Sequence, residues 1–165
     1  MSLIKNYWPD PRFADVGRIS QINCQITDAT HDFAPQSNVF PQIVIKTTNE
    51  VNCRGERLVS VPVGMKIVVS CRAGNDGDTP NVGSAITVWT PSGSAFLASV
   101  PPSGGVSGEF TVPAEGIKIC FRAPENVGQS RWIGNVFVGT KTDYDALVKL
   151  VPSGFLAGDL MPQQN

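Results

Sequence analysis

Short runs in which hydrophobic and polar positions alternate, or β-branched residues cluster, recur along the chain. Residues 42–48 (Gln-Ile-Val-Ile-Lys-Thr-Thr) are rich in β-branched side chains and follow Pro41. In residues 57–61 Leu58 takes one face, and Val59 and Val61 take the other. In residues 66–73 Ile67, Val69, Cys71 and Ala73 share a face opposite Lys66, Val68, Ser70 and Arg72, which predicts a half-buried strand. Residues 85–90 form another such run, closed by the turn sequence Pro91-Ser92-Gly93-Ser94. Residues 94–100 are then expected to return antiparallel to it. Residues 108–112, 117–123 and 131–138 complete the set. In the second of these, Ile117, Ile119, Phe121 and Ala123 face inward, and Lys118, Cys120 and Arg122 face outward. Residues 19–27 read as one early strand.

One segment has helical spacing. Tyr144, Leu147, Val148 and Val151 fall at i, i+3, i+4 and i+7, which predicts a short helix over residues 143–150 capped by Thr142 and ended by Pro152. Two turns are marginal alone, so the helix must dock. Many short strands with turn signals and a single short helix predict an all-β protein, a jelly-roll β-sandwich with one short C-terminal helix. The expected organisation is one domain over 1–165. Residues 1–18 form an extended strap stiffened by Pro9 and Pro11 and anchored by Trp8 and Phe13. The tail spans 158–165.

Composition narrows the function classes. With 16 Gly and 13 Pro in 165 residues, long helices are disfavoured. A formal net charge of −1 leaves no broad basic surface, so nucleic-acid binding is not expected. No apolar run approaches the roughly 20 residues of a membrane span. The opening residues lack the apolar stretch of a secretion signal, so a reducing site of synthesis is expected. Cys24, Cys53, Cys71 and Cys120 match no zinc spacing. They read as buried thiols or as one or two disulfides. His31, the lone histidine, sits beside Asp32 with no placed nucleophile, and no catalytic motif occurs. An enzyme is not expected.

The order of four motifs carries a resemblance. They are Asn6-Tyr7-Trp8-Pro9-Asp10-Pro11-Arg12-Phe13; the strand, Pro-x-Gly hinge and strand from Arg57 through Val61-Pro62-Val63-Gly64 to Ile67; Trp132-Ile133-Gly134-Asn135-Val136; and the ending Phe155-Leu156-Ala157-Gly158-Asp159-Leu160-Met161-Pro162. Together they resemble the galactose-binding-like, carbohydrate-binding-module jelly rolls of tailed-bacteriophage tail proteins. Gly134 stands where that pattern usually has an acid, and Leu160 where it has Thr. The resemblance implies a non-enzymatic virion protein, most naturally a tail module, assembled with other virion proteins and with itself as a trimer or other homo-oligomer. It also implies attachment to a host surface glycan. Two alternatives share the fold: a capsid decoration or cement protein, and a carbohydrate-binding module of a cellular protein.

Sugar recognition uses an aromatic face flanked by polar groups, and Trp89, Trp132, Arg131 and Asn135 are the candidate set. Trp8, Tyr7 and Tyr144 are further rings. Each ring has a plainer reading as a core or interface anchor. The loop Gly74-Asn75-Asp76-Gly77-Asp78 gathers oxygen donors suited to calcium, with Asn75, Asp76 and Asp78 as ligands, as some members of the resembled family carry. An acidic turn is the plainer reading, and no other cofactor is expected.

Overall fold

The computed structural model describes residues 4–11, 13–28, 42–49 and 51–150. His31, Pro152, the 155–162 motif and the 158–165 tail lie outside the described residues. Among the described residues the chain forms a 3-10 turn (Val16–Arg18), eleven strands and one α-helix: β1 (Ser20–Ile22), β2 (Cys24–Asp28), β3 (Gln42–Thr47), β4 (Arg54–Val59), β5 (Lys66–Asn75), β6 (Ile86–Trp89), β7 (Phe96–Val100), β8 (Gly104–Val106), β9 (Phe110–Thr111), β10 (Ile117–Arg122), β11 (Ser130–Gly139) and α1 (Lys141–Leu150). The strands make two antiparallel sheets packed face to face as a β-sandwich of the jelly-roll class. One sheet has the order β1-β4-β10-β6-β7. The other has the order β2-β3-β11-β5-β8, with β9 on the start of β5.

The core lies between the sheets and is filled by the predicted inward faces. Ile67, Val69 and Cys71 of β5 share one buried cluster with Ile117, Ile119 and Phe121 of β10, all nearly or fully buried. The opening segment closes one side of this core. Trp8 and Phe13 are buried and pack on Phe121, with ring centroids 5.3 and 5.8 Å from it. Asn6, also buried, acts as an extra ladder rung beside β11. Its Nδ2 donates to the Val136 carbonyl at 3.1 Å, and its Oδ1 accepts from the Val138 amide at 2.9 Å. The Asp10 carboxylate accepts from the amides of Ala14 and Asp15, which folds the chain back after Pro11.

The structure corrects several details. Residues 19–27 do not form one strand. At Asn23, which has a left-handed φ of 54°, the chain leaves one sheet and enters the other. The soft loop over residues 101–108 contains the edge strand β8, where Gly104 is required: a Cβ there would sit 2.7 Å from the Ala73 amide nitrogen and the Cys71 carbonyl. The helix begins at Lys141, two residues before its expected start. Its cap is Thr140, whose Oγ1 accepts from the Asp143 amide at 3.1 Å and donates to the Asp143 carboxylate at 2.9 Å. Strand β5 is buried on both faces at its centre, since α1 lies over Val68. Leu147, Phe137 and Val68 form a second small core there.

Candidate functional site

The antiparallel register decides which outward side chains meet on the five-stranded sheet. Across β4 and β10, Arg54 pairs with Arg122, Glu56 with Cys120 and Leu58 with Lys118. Across β10 and β6, Cys120 pairs with Thr87 and Lys118 with Trp89. A bulge between Val88 and Trp89 then brings Trp89 opposite Phe96 on β7. The two rings meet edge to face at 5.3 Å, Trp89 half-buried and Phe96 54% exposed. Outward positions on four strands therefore build one surface.

That surface is troughed. A depression of about 210 Å³ is lined by Trp89, Arg54, Glu56, Lys118, Cys120 and Arg122, together with Asn52 and Gly93. A second depression of about 500 Å³ shares Glu56 and Lys118 and continues past Leu58 and Ser60. Glu56 sits between two cations, with Arg54 Nε at 2.5 Å and Lys118 Nζ at 3.2 Å. Burial pushes its carboxyl pKa up, but hydrogen bonds and charge from Arg54 and Lys118 outweigh that, and it lies below the usual glutamate value. Beneath these long side chains Cys120 is 1% exposed. The strand pattern places it outward, yet its neighbours roof it. Burial, then the Glu56 charge, push its thiol pKa up, so it is a poor nucleophile. Chemically the surface offers an aromatic platform, charged hydrogen-bond donors and one fixed carboxylate.

The sequence-predicted glycan set is not brought together. Trp89 alone lies on this face. Trp132 faces outward on the opposite sheet, where its indole covers Gly74; a Cβ at Gly74 would lie 2.6 Å from the ring. Arg131 is removed from the set because it is 1% exposed. Its Nε donates to Asn75 Oδ1 at 2.7 Å, and its terminal nitrogens donate to the carbonyls of Val82, Ser84 and Arg122. Burial lowers its pKa, and four neutral acceptors hold the cation in place of a carboxylate. Asn135 is also removed. It is fully buried at the β11 bulge with φ 50°, where its amide has no hydrogen-bond partner among the described residues. Trp8 is core, and Tyr144 packs on Phe137 at 6.0 Å.

The side chains proposed for calcium do not form a cluster of free oxygen donors. Asn75 Oδ1 faces the Arg131 guanidinium, and its Nδ2 donates to the Pro80 carbonyl at 3.0 Å, so the side chain organises the loop and presents no free oxygen. Asp76 and Asp78 are exposed, and the Asp76 carbonyl accepts from the Thr79 amide in a plain turn. Among the described residues no group of three His, Cys, Asp or Glu could hold a metal ion. All four cysteines are free and buried.

Sequence reasoning missed Phe96, Arg54 and Glu56 and did not connect Lys118 and Arg122 with Trp89. The alternation of residues 117–123 already turned Lys118 and Arg122 outward. Only the strand order shows what stands beside them.

No family model and no curated protein matches the chain. Solved structures do. The second N-terminal cellulose-binding domain of β-1,4-glucanase C from Cellulomonas fimi matches with TM-score 0.54 and 18% identity, over 85% of this chain and 97% of that one. What the two share is the two-sheet β-sandwich fold. The enzymatically active domain of tailspike protein 4 from bacteriophage CBA120 matches with TM-score 0.50 and 14% identity, over 81% of this chain. This chain spans 21% of the length of that tailspike chain. At these identities the likeness is one of fold alone.

Proposed function

We propose that the protein is a non-enzymatic virion module of a tailed bacteriophage, mounted on the tail, that binds a host surface glycan on the outer face of its five-stranded sheet. The observation that carries the binding role is the Trp89–Phe96 pair, open to solvent at one end of a trough floored by Arg54, Glu56, Lys118 and Arg122. Aromatic faces take the apolar face of a pyranose, and charged hydrogen-bond donors take its hydroxyl oxygens. Support for the virion setting comes from the tail-protein resemblance of the opening, hinge and β11 motifs and from the tailspike likeness in fold. As an appendage module it is expected to assemble with itself, a trimer being the natural arrangement, and with neighbouring virion proteins.

The test is binding of the purified chain to immobilised glycans and to host cell envelopes. Binding that falls at least tenfold in Trp89→Ala, with an unchanged melting temperature, supports the reading. Failure to bind any saccharide or envelope, or turnover of a saccharide by the chain, overturns it. A second reading, a carbohydrate-binding module of a cellular protein, is favoured by the near-complete coverage of the Cellulomonas domain. Detection of the chain in purified virions by mass spectrometry separates the two. Binding to capsids with no glycan affinity would point to a decoration role.

A further inference from the structure

We infer that the saccharide taken by this face is anionic, with its carboxylate or phosphate seated between Arg54 and Arg122. The inference rests on the reading that the face binds a saccharide and adds the ligand's charge. Three cations, Arg54, Lys118 and Arg122, line the smaller depression against one carboxylate, Glu56. This local surplus stands on a chain of formal net charge −1. Glu56 is already shared between Arg54 and Lys118. Among the described residues Arg122 has no acidic partner. The register also sets Arg54 directly opposite Arg122 on adjacent strands, and like charges so placed destabilise a sheet. An anion lying across the pair would turn that repulsion into two charge-assisted contacts, and the guanidinium fork matches both carboxylate and phosphate oxygens.

The trough makes the surplus count. The side chains of Arg54, Glu56 and Lys118 are only 25, 16 and 16% exposed, so their charges are screened less than on an open surface. The aromatic pair lies at the other end. Lys118, opposite Trp89, is four residues from Arg122 on the same strand, about 13 Å along it. One sugar ring on Trp89 and Phe96 and an acidic group at the arginine pair therefore belong to one oligomer lying along β10. A single-stranded nucleic acid also combines rings and anions, and it is an arm of the test.

The experiment is titration of the full chain, followed by tryptophan fluorescence and calorimetry, with four oligomers of matched length: an oligouronate, a hexose-phosphate oligomer, an uncharged β-glucan and a single-stranded oligonucleotide. The expected result is that the oligouronate or the hexose-phosphate oligomer binds at least tenfold more tightly than the glucan, and that this preference shrinks as NaCl is raised from about 50 to about 500 mM. Whichever of the two is preferred identifies the anionic group. Arg122→Gln should weaken charged oligomers at least fivefold with unchanged melting temperature. Should that variant fail to fold, the salt dependence of the unsubstituted protein still decides. A glucan bound as tightly as the better-bound charged oligomer, in a Trp89-dependent way, overturns the anionic inference and leaves the saccharide reading standing. No binding of any saccharide overturns both. An oligonucleotide bound as tightly as the charged saccharides overturns the inference in favour of a general polyanion site.

Discussion

The two outer faces of the sandwich are built from strands of similar pattern but have opposite fates. On the six-stranded sheet, Val68 and Phe137 point away from the main core and are still 1% and 0% exposed, since α1 lays Leu147 over them. On the five-stranded sheet, Leu58 and Phe96 point outward and stay 65% and 54% exposed. The patch under α1 is apolar. The open face mixes aromatic rings with an ion cluster, a composition suited to a ligand that is itself part apolar and part polar. Apolar outward residues therefore mean different things on the two sides: packing under the helix and an exposed aromatic pair beside the trough.

That contrast can be broken most directly with two phenylalanines. Phe137→Ala should cost about 3–5 kcal/mol of stability by urea denaturation, whereas Phe96→Ala should cost less than about 1 kcal/mol. Equal losses would mean that the open face is packed after all. The next largest effect lies at the seam between the sheets. Arg131→Met strands Asn75 Oδ1 and the carbonyls of Val82, Ser84 and Arg122, and should cost about 2–4 kcal/mol. Thr140→Ala removes the cap of the covering helix and should cost about 1 kcal/mol. Hydrogen exchange should speed up in residues 141–150 and not on the open face. The smallest effect is one of pH. The folded pKa of Glu56 is lowered, so its contribution is fully present above about pH 4.5 and is lost as pH falls through the folded value. Glu56→Gln should flatten the acid limb of the stability profile, with a small amplitude because the cluster is partly solvated.

Strand positions and inward faces were legible because period two is a local property. Residues 66–73 and 117–123 read correctly for Ile67, Val69, Ile117, Ile119 and Phe121. The same rule misjudged Val68, Ser70 and Cys120, since it assigns a face but not what lies over that face. Cys120 is roofed by the long side chains around it, and Val68 by a helix more than seventy residues later in the chain. The helix start shifted because two threonines, Thr140 and Thr142, could each serve as cap, and hydrogen bonding to Asp143 selected the first. Of the glycan set only Trp89 remains on the candidate surface. Arg131 and Asn135 were chosen for polarity at a strand edge, but a buried guanidinium is stable where enough carbonyls converge, and that convergence joins residues 47 to 56 positions apart.

The amino-acid order alone determined that this chain is a β-sandwich with an apolar interior, a proline-stiffened strap and one docked helix, because alternation, turn residues and caps act over a few neighbouring positions. Tertiary structure alone decided that Arg54 faces Arg122, that Trp89 meets Phe96, that Arg131 is interior and that one sheet is roofed and the other open. Arg54 meets Arg122 because β4 lies beside β10, far from it in the chain; Trp89 meets Phe96 because a bulge shifts the register of the β6-β7 hairpin; and the last two facts depend on what β11 and α1 touch across the fold, none of which a local period encodes.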